Sequence, residues 1–224
     1  LGAGICGLST AIELAERGYS VIVLEGERVG WGASGRSGGQ AIFGYGCDMS
    51  TLEAQLGRDD ARKLFDWSVE GIDLIAERCR RYNIDCDLAP GHAHAAIKPR
   101  QVEELKRWQH DLAENYGYTG TEFWDRARLQ QTLASERYAA LLLDPRGAHI
   151  HPLNYTLGLA RAAASLGVRI FERSRVVAID DGAEVRLRTA QGEALGRFGV
   201  LAGNAWLNGL VPQLEDRIMP VGTY

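Results

Sequence analysis

The sequence predicts an α/β fold in which a Rossmann-type nucleotide-binding domain is split by an inserted α+β domain. Three observations predict it. A glycine motif at residues 2–7 opens a helical pattern. A nearly continuous apolar stretch then ends in the acidic residue Glu25, as expected of a strand buried on both faces. After residue 145, helical and strand patterns alternate again, so the segment between them is predicted to be an insertion.

The N-terminal elements follow from periodicity and from the placement of glycine. Apolar residues recur at helical intervals over residues 5–17 and Gly18 follows, which predicts a helix ended by a glycine. Residues 19–25 are β-branched and apolar, which predicts a buried strand. Residues 26–50 are rich in Gly and Ser. This loop far exceeds the usual connection of about 4–6 residues, so we expect it to be functional.

The remaining patterns mix helices and strands. Within the insertion they predict a helix over 52–82, a strand over 93–97, a helix from Pro99 through Leu112, a helix over 125–133 and a strand over 139–143. After it they predict a helix over 153–166 and strands over 168–172, 175–179, 185–189 and 197–201.

The composition argues against several functional classes. The 25 Lys and Arg against 29 Asp and Glu give a net charge of −4, unlike a general nucleic-acid or anionic-membrane binder. No apolar run reaches the roughly 18 residues that indicate a membrane span. The four cysteines form no CxxC pair, which favours reduced thiols in a cytoplasmic protein.

Both ends of the chain have the pattern of a piece of a longer protein. Only Leu1 precedes the glycine motif, where a strand of about five residues is expected. Residues 217–224 have the pattern of an entry into further strand structure. We therefore expect the fold to be truncated at both ends.

The GxGxxG motif gives each glycine a separate role. Gly2 allows a tight turn, Gly4 leaves room for a pyrophosphate, and Gly7 lets the helix pack closely on the strand. The first N–H groups of the helix then face the phosphates. Glu25, about 20 residues further on, would accept hydrogen bonds from the ribose hydroxyls. A carboxylate there disfavours the 2′-phosphate of NADP, which leaves NAD and FAD open.

The loop after this acid carries a second motif, GWGASGRSGGQ at residues 30–40. Its small residues let a flat ring approach the backbone, and its hydroxyls and guanidinium suit an anion. Residues 2–40 resemble the N-terminal half of the FAD-dependent D-amino-acid-oxidase-like superfamily. Within it, GASGRSGGQ is most similar to the γ-glutamylputrescine oxidoreductase-like group, which typically has GASGRNGGQ, so Ser37 stands where that group has Asn.

The resemblance extends through most of the chain. Residues 147–152 resemble the family's strand before its second nucleotide-binding helix. Residues 174–179 resemble the stretch in which the backbone of a valine contacts the adenine. Residues 200–206 resemble a second FAD-binding segment of the family. The family's C-terminal glycine-rich FAD segment is missing from these residues. The piece alone is therefore expected to bind FAD poorly.

The resemblance implies a domain assignment and a set of cofactor contacts. A Rossmann-type FAD-binding domain is expected at 1–50 and 145–218, and a partial substrate domain at 51–144 and 219–224. The predicted FAD-binding residues are Gly2, Gly4, Ile5, Cys6, Gly7, Glu25, Gly26, Arg28, Gly32, Ala33, Ser34, Arg36, Ser37, Gly38, Gly39, Gln40, Val176, Ala202, Gly203 and Trp206.

The length of the loop predicts the order in which its residues contact the cofactor. At roughly 3.3 Å per residue, the chain that leaves Glu25 can pass the pyrophosphate and reach the flavin ring by residue 40. Ser34 and Arg36 are therefore expected near phosphate oxygens. Gly38, Gly39 and Gln40 are expected beside the isoalloxazine ring.

The chemistry that the resemblance implies is oxidation of a C–N bond in a small-molecule amine or amino acid, such as γ-glutamylputrescine or a polyamine. Flavin N5 takes the hydride, and oxygen or another acceptor takes the electrons. Because the flavin carries this chemistry, no catalytic side chain is assigned. Two alternatives remain open: an NAD-dependent dehydrogenase, which the first motif permits, and a tRNA-modifying member of the same superfamily, which would need a basic surface that this chain lacks. The oligomeric state is not predicted.

Four ring side chains in the insertion receive structural interpretations. Trp67 and Trp108 occur at helical spacing and are predicted to lie in the core. His92 and His94 are two residues apart, without a nearby cluster of carboxylates or cysteines in the sequence. Two histidines alone do not make a metal site, so no metal is predicted.

Overall fold

A computed structural model describes residues 1–207, 209–215 and 217–221. In chain order its elements are α1 (Ile5–Glu16), β1 (Ile22–Leu24), β2 (Gln40–Ala41), α2 (Met49–Leu56), α3 (Arg58–Arg81), β3 (Ala89–Ala96), α4 (Pro99–Tyr116), β4 (Glu122–Trp124), α5 (Arg126–Gln130), β5 (Ala140–His149), α6 (Pro152–Ser165), β6 (Arg169–Phe171), β7 (Val176–Asp181), β8 (Val185–Thr189), β9 (Gly192–Gly196) and α7 (Pro212–Glu215). Short 3₁₀ helices occur at Ala33–Gly35 and Asn204–Leu207.

The first of two compact units contains Leu1–Gly38, Arg81–Cys86 and the described residues from Pro152 onward. In it, β1 pairs in parallel with β6, and β7, β8 and β9 form an antiparallel sheet. Helix α1 packs against α6. It buries Leu8, Ala11 and Ile12, which recur at the three- and four-residue spacing of one helix face.

The second unit, Gly39–Arg80 with Asp87–His151, is organised around β5. This long strand pairs antiparallel with β2, β3 and β4. Helices α3 and α4 contribute Phe65, Leu112 and Tyr116 to an aromatic core. Tyr118, which follows α4, completes that core.

The division between the units differs from the predicted domain ranges. Residues 39–50 and 145–151 belong with the second unit because Gln40 pairs with His149 across β2 and β5. Residues 81–86 return to the first unit, where Ile84 packs so closely on Gly158 that a Cβ on this glycine would lie 2.2 Å from Ile84 Cγ2. The assignment of one unit to FAD and the other to substrate stays a prediction.

The predicted single helix over 52–82 is wrong in one respect. Gly57 has a φ of 85° and divides it into α2 and α3. Such a backbone conformation is readily adopted only by glycine, and it ends α2. Trp67 is also not in the core: 61% of its surface is exposed. The buried positions of α3 include Ala61, Phe65 and Val69, and Trp67 lies two residues from that stripe, on another face.

The predicted strand over 197–201 is likewise wrong. The third strand of the antiparallel sheet is β9, at 192–196, and the chain then leaves the sheet. Leu1 N donates to Val200 O at 2.7 Å, and Ala202 N donates to Leu1 O at 2.8 Å. These two bonds do not continue into a ladder, and no residue of 197–201 is part of a strand. Residues 217–221 are a turn and irregular chain, and the rest of the expected strand entry, 222–224, lies outside the described residues.

Across the described part of the chain, no helix is both long and apolar enough to cross a membrane.

Candidate functional site

The glycine motif forms a tight turn against the segment at 202. Gly2 has a φ of 104°, and its N–H donates to Leu24 O at 2.9 Å. A Cβ built on Gly2 would lie 2.6 Å from Ala202 O. Both the backbone conformation and the close approach therefore require glycine here.

The N-terminus of α1 receives a hydroxyl from the second motif. Gly4 is the N-cap residue, and Ile5 N donates to Ser34 Oγ at 3.0 Å. A Cβ on Gly4 would lie 2.6 Å from the same oxygen. Ser34 therefore stands at the positive end of the helix dipole with its own hydroxyl proton available to an anion.

Gly7 permits the first turn of α1 to rest directly on the glycine turn. A Cβ at this position would lie 2.0 Å from Gly2 O and 3.3 Å from Ala202 Cβ. The residue is buried. Its lack of a side chain is thus a packing requirement, as the motif predicts.

Glu25 joins the end of β1 to the turn. Its Oε2 accepts a hydrogen bond from Ala3 N at 2.7 Å, and its Oε1 accepts one from Glu27 N at 2.9 Å. Each carboxylate oxygen has a further lone pair. The half-buried side chain can therefore accept two more donors, as two ribose hydroxyls would supply.

The segment after β6 lies alongside residues 25–27. Ser174 N donates to Glu25 O at 2.7 Å, and Arg173 N donates to Glu27 O at 2.8 Å. The Arg175 guanidinium pairs with Glu27 at 2.9 Å. Val176, the predicted adenine contact, begins β7 directly after this segment and is half-buried.

Two tryptophans come together over the second motif. The rings of Trp31 and Trp206 are 5.6 Å apart, and the Arg36 guanidinium lies 4.8 Å from the centre of the Trp31 ring. Gly32 lies beneath Trp206, since a Cβ on it would be 3.6 Å from the indole nitrogen. Trp206 was predicted from sequence. Trp31 was not, although it stands within the second motif itself.

The structure does not bring every predicted residue into this cluster. Gly39 and Gln40 belong to the second unit, where Ile150 N donates to Gly39 O at 2.9 Å and Gln40 pairs with His149. Their place beside a flavin ring stays a prediction. Exposed residues among the predicted set are Cys6, Arg28, Ala33, Arg36, Ser37, Gly38, Gln40 and Trp206. Half-buried ones include Ile5, Gly26 and Gly203.

Among the residues that the structure describes, no group of three or more His, Cys, Asp or Glu side chains could hold a metal ion. The fold and this cluster define a nucleotide-binding α/β protein. The family described as "FAD dependent oxidoreductase" matches residues 1–224, and the chain belongs to that family.

Relatives and solved structures agree with this assignment. The chain is 43% identical over 229 residues to "Probable oxidoreductase OrdL" of Haemophilus influenzae, covering 100% of the chain and 53% of the relative. It is 42% identical over 224 residues to "Gamma-glutamylputrescine oxidoreductase" of Escherichia coli, covering 100% and 52%. The chain thus spans about half the length of these curated relatives.

Two solved structures have the same fold over most of this chain. A glycine oxidase from Geobacillus kaustophilus matches with a TM-score of 0.72 and 24% identity, over 92% of this chain and 54% of that one. An L-amino acid deaminase from Proteus myxofaciens, in complex with anthranilate, matches with a TM-score of 0.77 and 25% identity, over 92% and 44%. The α/β fold class predicted from sequence is confirmed by these matches, as is the resemblance to the family.

The described residues fit FAD, the cofactor of this family. Side chains at Gly4 and Gly7 would fill the turn. Because these residues are glycines, only backbone lies where a pyrophosphate must approach. The first N–H groups of α1 have no partners within the helix. With Ser34 and Glu25, they supply donors for an anion and acceptors for a ribose.

Proposed function

We propose that the full-length protein is an FAD-dependent oxidoreductase that oxidises the C–N bond of an amine or amino acid, with γ-glutamylated amines and polyamines as the leading substrate class. The observation that carries the proposal is the 42% identity, over the whole chain, to the protein named Gamma-glutamylputrescine oxidoreductase. FAD, when bound, accepts the hydride removed from the carbon beside the nitrogen. In this proposal the described residues bind and orient the adenosine and pyrophosphate.

A substrate screen tests this proposal. Purified full-length protein is expected to be yellow and to consume oxygen, or to reduce an artificial electron acceptor, with γ-glutamylputrescine or a polyamine. Sarcosine, glycine and D-amino acids serve as comparison substrates. A yellow protein that no amine reduces would contradict the proposed reaction. A colourless protein that binds NAD would contradict the cofactor as well.

Glu25→Ala in the full-length protein is expected to weaken FAD binding by about 1.5–3 kcal/mol, the range for losing a hydrogen bond to a charged group. The substitution removes the ribose acceptor and also leaves the N–H groups of Ala3 and Glu27 without their partner. FAD titration after removal of the cofactor measures the change.

The matched control is Glu27→Ala. Glu27 is the next acid along the same segment, but its carboxylate pairs with Arg175 in a partly solvent-exposed ion pair. Such pairs contribute about 0–1 kcal/mol, so FAD affinity should change little. Equal effects of the two substitutions would count against a ribose contact at Glu25.

A further inference from the structure

The second unit contains a cavity of about 460 Å³, which is within the size range of small-molecule sites. Aromatic rings form much of its wall. Phe43 lies 5.4 Å from Phe65 and 6.1 Å from Trp108, measured between ring centres. His94 meets the edge of Trp108 at 4.7 Å. Faces of such rings attract cations.

Asp144, at the far end of the apolar run of β5, lines this cavity and is only 5% exposed. Its Oδ1 accepts hydrogen bonds from the Tyr118 hydroxyl at 2.9 Å and from Arg146 N at 3.1 Å. Its Oδ2 is buried and has no hydrogen-bond partner among the described residues. A buried carboxylate oxygen is costly unless a donor or a cation reaches it.

Gly147 packs closely on the Asp144 carboxylate. Gly147 is buried, and a Cβ on it would lie 3.2 Å from Asp144 Oδ2 and 2.9 Å from His92 Cβ. A side chain there would therefore displace Asp144 or His92 from the wall of the cavity.

Arg146 acts on Asp144 through its charge, but no lysine or arginine is among the described residues that line the cavity. Three of those residues are aspartates. The nearby Arg146 directs its guanidinium to Asp73, with Nε 3.0 Å from Oδ1. Burial and the neighbouring His92 lower the pKa of His94, whereas Asp144 raises it, so His94 tends toward the neutral form.

We propose that this cavity is a binding site for an organic ammonium group, with the Asp144 carboxylate as its counter-ion and the rings of Phe43 and Trp108 facing its alkyl part. An ammonium group supplies both of the things that Oδ2 lacks, a positive charge and N–H donors. The alkylamine class is the one named by the proposed function, and the link between this site and the substrate rests on that function.

The test uses tert-butylammonium chloride and the neutral isostere tert-butanol, titrated calorimetrically into the FAD-loaded full-length protein at constant ionic strength. The carbon beside the nitrogen of this probe carries no hydrogen, so the probe cannot be oxidised. Binding is therefore measured independently of any turnover, and failure of the proposed reaction would leave this result intact.

We expect the wild-type protein to bind the ammonium probe at least tenfold more tightly than the alcohol. Asp144→Asn keeps an acceptor for Tyr118 and Arg146 while removing the charge, and should weaken ammonium binding at least tenfold. The control Asp66→Asn removes an exposed carboxylate of α3 and should change it less than twofold. If the Asp144→Asn protein does not fold, the comparison of the ammonium probe with the alcohol on the wild-type protein still tests the proposal. Equal binding of the two probes, no binding of either, or unchanged binding by a folded Asp144→Asn protein would overturn the proposal.

Discussion

Gly7→Ala is expected to destabilise the full-length protein by about 1–3 kcal/mol, the usual range for overpacking a well-filled site. The added Cβ would lie 2.0 Å from Gly2 O, a backbone atom that can move only if the glycine turn moves with it. The change therefore acts on the fold, and FAD loss follows from it. The midpoint of thermal unfolding, followed by circular dichroism at a fixed FAD concentration, measures the effect.

Gly71→Ala is the matched control for this prediction. Gly71 also lies inside a helix, α3, but a Cβ there would meet no heavy atom of the described residues within 4 Å. In such a position alanine stabilises a helix by about 0.5–1 kcal/mol relative to glycine. The two substitutions should therefore have opposite signs, and a Gly7→Ala protein as stable as Gly71→Ala would disprove the packing argument.

Gly4→Val is expected to yield full-length protein without FAD. The valine would occupy the approach to the N-terminus of α1, where the Cβ alone lies 2.6 Å from Ser34 Oγ. Because Gly4 has a φ of −84°, the backbone itself tolerates a side chain, and any loss of FAD comes from occupied space. The ratio of flavin absorbance to protein absorbance after extensive dialysis measures it.

A double substitution separates two reasons for this glycine. In Gly4→Ala combined with Ser34→Ala, the nearest remaining side-chain atom is Ser34 Cβ at 3.6 Å, an ordinary contact. If Gly4 leaves room for the pyrophosphate, the double variant still binds FAD more weakly than Ser34→Ala alone. Equal affinities of these two variants would mean that Gly4 makes room only for the serine.

Local patterns were sufficient to predict the elements that a few neighbouring residues determine. The helical repeat before Gly18 and the β-branched run before Glu25 correspond to α1 and β1. The long helix was predicted without its break, although the acidic pair Asp59–Asp60 is itself a signal for a helix start and lies in the first turn of α3. The φ of 85° at Gly57 places the division just before it.

Features that depend on distant partners could not be predicted. Residues 197–201 have a strand-like composition, but a strand needs a neighbour, and no strand among the described residues pairs with this segment. Asp144 was assigned no role from sequence. One signal was available, an acid at the end of the apolar run Leu141–Leu143, but the missing partner of Oδ2 is visible only in three dimensions.

The first unit is assembled from segments that are far apart in the chain, and this has a consequence for how it folds. Glu27 and Arg175 pair across 148 residues of sequence, and β1 pairs with β6 over a similar separation. Contacts of such separation form slowly, because a long chain must close before they contribute. During synthesis the glycine turn leaves the ribosome well before Ala202, yet it cannot be completed until Ala202 has followed. The apolar surface around the glycine turn must therefore stay unassembled until the segment around Ala202 has been synthesised, a period in which a nascent chain depends on chaperones to avoid aggregation.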